Sequence, residues 1–219
     1  MHFLLFLGTV RDSTPPRPAR LGLGVCNALL NAFAARCPGH KIELIDALDI
    51  PLEPVFKPHF SYPENRAPEA LNQLAGKIAA ADGYIMLSPE YNHSMSPALA
   101  NLLNHFGSSL YAYKPSVIAT YSAGQWGGMR AAVNMRTFLA ELGCLPVSAM
   151  IHVATVQDHF AQDGSPLDGV DEDRWFDYFG RAFEQLIWWS EAARQQRERT
   201  DPHGRIGDFV RDPSQRNAP

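Results

Sequence analysis

The chain has 219 residues, 46% of them hydrophobic, with 19 basic and 23 acidic side chains. It is too apolar and too weakly charged for a disordered chain, and a net charge of −4 gives no basic field for nucleic acid. No apolar run reaches the length of about 18 residues that predicts a membrane span. The apolar start, Met1 to Gly8, lacks the basic flank and the length of a signal peptide. Three widely spaced cysteines, Cys26, Cys37 and Cys144, form neither a disulfide framework nor a metal pattern, and point to a reducing cytoplasm.

Phe3 to Gly8 is a continuous apolar run and predicts a buried strand. Leu21 to Arg36 carries Val25, Cys26, Leu29, Leu30 and Phe33 at helical spacing. Lys41 to Asp46 alternates and predicts a second strand. Prolines at 51, 54, 58, 63 and 68 make the next stretch an irregular loop. Glu69 to Ala81 predicts a helix and Gly83 to Leu87 a third strand. Ser96-Pro97 supplies an N-cap and a first-turn proline for a helix running to Leu110. Ser116 to Tyr121 is the fourth strand, Gly128 to Leu142 a helix, and Leu145 to Val153 the fifth strand. Asp171 to about Arg197 is the last helix, with Trp175, Phe179, Ala182, Leu186 and Trp189 on one face. Residues 200–219 are polar and proline-dotted and read as a tail.

Five strands alternating with helices predict an α/β fold: one domain over residues 1–199, a doubly wound parallel sheet in the order 2-1-3-4-5. Ligands of such sheets bind beyond the carboxyl ends of the strands. Three loops there carry chemistry. Loop one, Gly8 to Pro18, has hydroxyls at Thr9, Ser13 and Thr14, guanidinium groups at Arg11 and Arg17, and leads into a helix N-terminus, which suits a phosphate. It matches neither a P-loop nor the dinucleotide glycine fingerprint. Loop two, Ser88 to Pro97, is stiffened by two prolines and gathers Glu90, Tyr91, Asn92 and His93. Loop three, Ser122 to Gly128, holds three glycines that permit close backbone approach; its Trp126 either stacks on a ring or plugs the loop. Glu90 with His93 invites a hydrolase reading, but no nucleophile elbow accompanies them.

The run Ser88-Pro89-Glu90-Tyr91-Asn92, followed by a serine-proline helix start and Leu-x-Asn, resembles the signature of the NAD(P)H-dependent FMN reductase family. The Gly8-Thr9-Val10-Arg11 turn and the Ser122 to Gly128 loop are similar to that family's other two flavin loops. The resemblance covers roughly residues 1–155 and implies a flavodoxin-like fold, bound FMN, and NADPH or NADH as donor. It implies that Thr9, Arg11 and Thr14, with Arg17 as a weaker candidate, hold the FMN phosphate. Pro89, Glu90, Tyr91 and Asn92 would line the isoalloxazine edge, and Ser122, Gly124, Gln125 and Gly127 would complete the site. Hydride would pass to the flavin and two electrons on to a quinone, azo compound, free flavin or similar small acceptor, with no obligatory catalytic side chain; Tyr91 and His93 are weak candidates for a proton donor. Arg11, Arg17 and Arg20 near the mouth favour a 2′-phosphate on the donor. The rival readings are a flavodoxin-like electron carrier and a flavin-binding regulatory or scaffold protein.

The apolar stripe of the helix from Ser96 to Leu110 and the adjacent Trp188 and Trp189 exceed what one domain buries, which predicts a homodimer or homotetramer. Tyr111 or Tyr113 is expected near the neighbour's flavin pocket.

Overall fold

The computed structural model describes residues 1–12, 19–63 and 66–202. The parallel sheet is built from β1 (His2–Leu7), β2 (Lys41–Asp46), β3 (Gly83–Pro89) and β4 (Pro115–Tyr121), followed by two short pieces, β5 (Leu145–Pro146) and β6 (Ile151–Val153). Its order is β2-β1-β3-β4-β5, with β6 also on β4. Helices α1 (Leu21–Arg36), α2 (Glu69–Ala80), α3 (Pro97–Asn104), α4 (Ser108–Tyr111), α5 (Met129–Glu141) and α6 (Glu172–Arg199), with two 3-10 turns at His59–Ser61 and Val156–Asp158, complete the described elements. This is the doubly wound parallel sheet expected from the alternation of patterns and the flavodoxin-like fold that the resemblance implies. Of the predicted tail, residues 203–219 lie outside the described residues.

Alternation along each strand sends side chains to two cores. Phe3, Leu5 and Leu7 pack with Val25, Leu29 and Phe33 of α1 and with Phe179, Phe183 and Leu186 of α6. Leu4, Phe6, Tyr84 and Met86 pack instead with α2, α3 and α5 through Leu74, Ile78, Leu102 and Met135. Every strand residue from Phe3 to Leu7 is fully buried, as a central parallel strand covered on both faces requires.

Two predicted elements are interrupted. The fifth strand breaks between Pro146 and Ile151. Pro115 pairs with Leu145 but Ala119 with Ile151, so the edge strand inserts two extra residues and slips its register by two. The bulge turns carbonyls outward to side chains: Arg136 donates to the carbonyls of Val147 and Ser148 at 2.9 and 2.8 Å, and Arg181 to that of Met150 at 2.6 Å. Tyr178 accepts the His152 N–H at 2.9 Å. Side chains of α5 and α6 thus occupy the free edge that would otherwise invite another strand.

The helix predicted over residues 96–110 also divides. Gly107 takes an extended ψ of 144°, and α4 starts afresh behind it. The carbonyl of His105, released from the helix, accepts the His59 N–H at 2.7 Å. The change of direction alters the fate of two tyrosines. Tyr111 is fully buried in its own core, 5.4 Å from the ring of Tyr84, so it is not available to a neighbouring flavin pocket. Leu99, Leu102 and Leu103 of the predicted interface stripe are buried in the same core. Tyr113 remains exposed.

Candidate functional site

Three loops converge above the carboxyl ends of β1, β3 and β4. Loop one is bolted down at its start. The Gly8 N–H donates to the Leu87 carbonyl at 2.8 Å, and the Ser96 hydroxyl donates to the Gly8 carbonyl at 2.5 Å while accepting the Leu99 N–H at 3.0 Å. Ser96 is therefore both the N-cap of α3 and the clasp between α3 and loop one.

Behind the loop stands an ion pair. Arg20, 5% exposed, donates through its two terminal nitrogens to both oxygens of Asp46, at 2.5 and 2.6 Å, and also to the Thr9 carbonyl. The pair fixes the backbone of Thr9 from below. The Thr9 hydroxyl accepts the Arg11 N–H at 3.4 Å and is hydrogen-bonded to the Tyr121 phenol. Burial raises the Tyr121 phenol well above its ordinary range, so it stays protonated.

Loop two folds into a tight turn. Asn92 and His93 adopt φ of +49° and +63°, and Tyr91 and Ser94 exchange two backbone hydrogen bonds of 2.9 Å. Two consecutive left-handed residues make this a two-residue hairpin turn of the I′ kind, which asparagine tolerates well. The turn presents the Tyr91 hydroxyl to Arg11, whose Nε lies 3.1 Å away, so loops one and two meet across the mouth. Glu90 points elsewhere: it accepts the Ala131 N–H at 3.4 Å and lies 3.9 Å from Arg130, at the start of α5, where the helix dipole favours an anion.

Loop three is lashed to the end of β6 and to the segment after it. Ser122 donates its N–H to the Val153 carbonyl at 3.0 Å, and Thr155 donates to the Gly124 carbonyl at 3.0 Å. Gly127 and Gly128 have φ of +58° and +79°. A Cβ on Gly128 would stand 2.7 Å from that of Thr120, so the close approach requires glycine. Trp126 is exposed, with the Arg130 guanidinium 5.3 Å from its ring; it does not plug the loop.

Between the loops lies a cleft of about 190 Å³ lined by Thr9, Arg11, Arg20, Pro89, Glu90, Tyr91, Tyr121 and Ser122, among others. Residues 1–158 match the family model described as NADPH-dependent FMN reductase. The chain belongs to that family.

Relatives of this FMN reductase chain include an NADPH azoreductase of Bacillus sp. (strain OY1-2), 33% identical over 102 residues, which are 45% of this chain and 57% of that protein. The chain therefore spans little more than half the azoreductase. An NAD(P)H-dependent FMN reductase of Pseudomonas aeruginosa is 32% identical over 64% of this chain and 76% of its own length. Among solved structures, the flavoenzyme NAD(P)H:(acceptor) oxidoreductase FerB of Paracoccus denitrificans superposes with a TM-score of 0.63 at 20% identity, covering 87% of this chain and 97% of that one. At that identity the likeness speaks for the fold.

The site fits the family's cofactor. The lining of the cleft includes Thr9 and the Arg11 guanidinium, groups of the kind that bind a phosphate. Of the residues expected at the site, Thr9, Arg11, Pro89, Glu90, Tyr91 and Ser122 come together around the cleft. Asn92, His93, Gly124, Gln125 and Gly127 shape the loops but do not line it. Thr14 and Arg17 lie outside the described residues. Arg20 does not serve the mouth as a free cation, since its guanidinium is committed to Asp46.

Sequence reasoning missed Arg20 in its true role, together with Asp46 and Tyr121. One signal was available. An arginine directly before a helix is the wrong charge for that terminus, and Asp46 sits at the end of the strand whose register places it beside Leu7.

Proposed function

We propose that the protein is an NAD(P)H-dependent oxidoreductase that passes two electrons from a nicotinamide through bound FMN to a quinone, azo compound, flavin or similar small acceptor. The observation that carries this reading is the convergence of the three loops on a cleft lined by Thr9 and Arg11. Bound there, FMN supplies the hydride-accepting and electron-donating chemistry. Thr9 and Arg11 hold the phosphate, with Thr14 as a further candidate and Arg17 as a weaker one. Pro89, Tyr91 and Ser122, which line the cleft, cradle the ring chiefly through backbone, Asn92, Gly124, Gln125 and Gly127 shape the loops that present them, and fixed N–H groups of loops two and three offset negative charge developing on the ring. Glu90 acts from behind, holding loop two against the start of α5.

The deciding experiment is identification of the released cofactor by mass spectrometry, followed by anaerobic addition of NADPH. FMN and bleaching of its visible band are the expected results. FAD, or no flavin after reconstitution, overturns the cofactor; FMN that NADPH does not bleach turns the reading to an electron carrier. Arg11→Ala is expected to weaken FMN binding by about 1.5–3 kcal/mol, the range for a charge-assisted hydrogen bond, with the fold intact because the side chain is exposed. Fluorescence titration of FMN measures this; unchanged affinity would assign the phosphate to other groups of loop one.

The reading extends to a single domain over residues 1–199, working in a reducing cytoplasm. Cys26, Cys37 and Cys144 are buried, and burial pushes their thiols up to about 12, 11 and 12, so they stay protonated. Among the described residues no helix is long and apolar enough to cross a membrane. Assembly as a homodimer or homotetramer is supported by the exposed Tyr113, Leu145 and Trp189, which share a mainly apolar groove of about 440 Å³, and by the exposed Trp188 beside them. Light scattering at micromolar concentration is expected to give two or four times the chain mass of 24.3 kDa. A single-chain mass would remove the assembly.

A further inference from the structure

A second cavity, of about 620 Å³, opens at the edge of the sheet between β6 and the start of α6. Among the described residues it shares no lining residue with the cleft of the three loops. Its volume falls within the roughly 300–1,000 Å³ typical of small-molecule sites. One wall is aromatic: the Trp175 and Tyr178 ring centroids are 5.7 Å apart, and His159 lies 4.9 Å from Trp175. The rim carries Asp158, Asp168, Asp171 and Arg174, and the Arg181 guanidinium stands 4.6 Å from the Tyr178 ring centroid. Asp171 is engaged as the N-cap of α6, accepting the Arg174 N–H at 3.1 Å. Among the described residues, Asp158 and Asp168 have no ion pair.

His152 completes the lining, and its hydrogen bonding fixes which nitrogen is available. The ring Nδ1 lies 2.8 Å from the Thr120 hydroxyl oxygen, and that hydroxyl donates its one proton to the Gly127 carbonyl, also at 2.8 Å. The oxygen can therefore only accept from the ring. Nδ1 carries the proton, and the opposite nitrogen, Nε2, is an acceptor. Burial, and then the charge of Arg181, lower the histidine from its ordinary value, which keeps the ring neutral near pH 7. The cavity thus joins an aromatic wall, two unpaired carboxylates and one directed acceptor.

We propose that this cavity is a second binding site, for a planar aromatic ligand bearing a cationic N–H group such as an arylammonium or amidinium, and that it is connected to loop three through His152 and Thr120. The ring packs on Trp175, the charge meets Asp158 and Asp168, and an N–H donates to Nε2 of His152. The far side of His152 is two hydrogen bonds from Gly127, so a ligand that repositions the imidazole shifts the backbone of loop three. The binding half stands on the cavity alone; the connection rests on the reading of loop three as a flavin loop.

Benzamidine is a suitable probe, with benzoate as its counterpart of opposite charge. Titration of the purified protein with benzamidine is expected to give saturating quenching of tryptophan fluorescence that is lost in Trp175→Phe. In an Asp158→Asn/Asp168→Asn variant the dissociation constant is expected to rise about tenfold, as removal of two rim charges implies. Both carboxylates are exposed, so the variant should fold, and circular dichroism checks it. Absence of saturation at millimolar benzamidine overturns the site. Equal or tighter binding of benzoate, or an unchanged constant in the double variant, overturns the cationic class. With FMN bound, benzamidine is expected to shift the flavin absorption band, and Thr120→Val to abolish the shift while leaving the quenching. Quenching without a shift in the unaltered protein overturns the connection. A protein that binds no flavin still reports quenching, so the two readings fail separately.

Discussion

Replacing Arg20 with alanine is expected to lower the free energy of unfolding by about 3–5 kcal/mol, the cost of breaking a buried ion pair on one side. The side chains of Arg20 and Asp46 are 6% and 11% exposed. Without the guanidinium, the Asp46 carboxylate keeps, among the described residues, only the Leu48 N–H at 2.9 Å and loses its two shortest donors. The charge is then buried without a counter-ion, which is where most of the cost arises. Arg20→Lys keeps the charge but loses the planar fork, and is expected to fall between the two. Removing both partners together with apolar residues of similar volume is expected to cost less than Arg20→Ala alone, because no orphaned charge remains. Urea unfolding of the three variants checks the series. A loss under about 1 kcal/mol for Arg20→Ala would mean that the carboxylate finds water, as an exposed pair does. FMN affinity should fall as well, since Arg20 also holds the Thr9 carbonyl.

The pair shows which part of this protein is legible in its sequence. Elements whose identity rests on local pattern were readable: α1 and β2 fall on the predicted residues, and Ser96 caps α3 as its Ser-Pro start implies. The three loops were also readable, because strand order alone places the ends of β1, β3 and β4 together. Pattern failed where a distant group sets the geometry. Val147, Ala149, Ile151 and Val153 alternate as an unbroken strand would. The strand breaks between them because its edge is satisfied by Arg136 and Arg181 from two helices. Leu99 to Leu110 keeps a helical period through Gly107, and the break there depends on a carbonyl taken up by His59. Arg20 and Asp46, 26 residues apart, become partners only through the register of β1 on β2. Spacing reached a phosphate-sized site; the family resemblance supplied the flavin.

Gly8→Ala is expected to destabilise the protein by about 2–4 kcal/mol, combining overpacking of about 1–3 with a weakened hydrogen bond of about 1. A Cβ at this position would stand 2.6 Å from the Leu99 Cβ and 2.9 Å from the Leu87 carbonyl oxygen. Neither neighbour has room to yield: Leu87 lies inside β3, and Leu99 is fully buried on the first turn of α3. Two relaxations are open. If α3 moves outward, the loss is packing alone and flavin affinity is preserved. If loop one lifts from β3, the Gly8 to Leu87 and Ser96 to Gly8 hydrogen bonds stretch, and Thr9 and Arg11 are carried away from the phosphate position. The second is the expected course, because, of the described residues 8–12, only Gly8 and Thr9 are buried, whereas α3 buries Leu99, Leu102 and Leu103. Stability and FMN affinity should then fall together, measured by urea unfolding and flavin titration. Gly76→Ala is the control: a Cβ there meets nothing within 4 Å, the residue lies within α2, and the change is expected to stabilise by about 0.5–1 kcal/mol through helix propensity. A stability loss in Gly8→Ala with unchanged FMN affinity would show that α3 gives way first and that loop one holds its place without the clasp of β3.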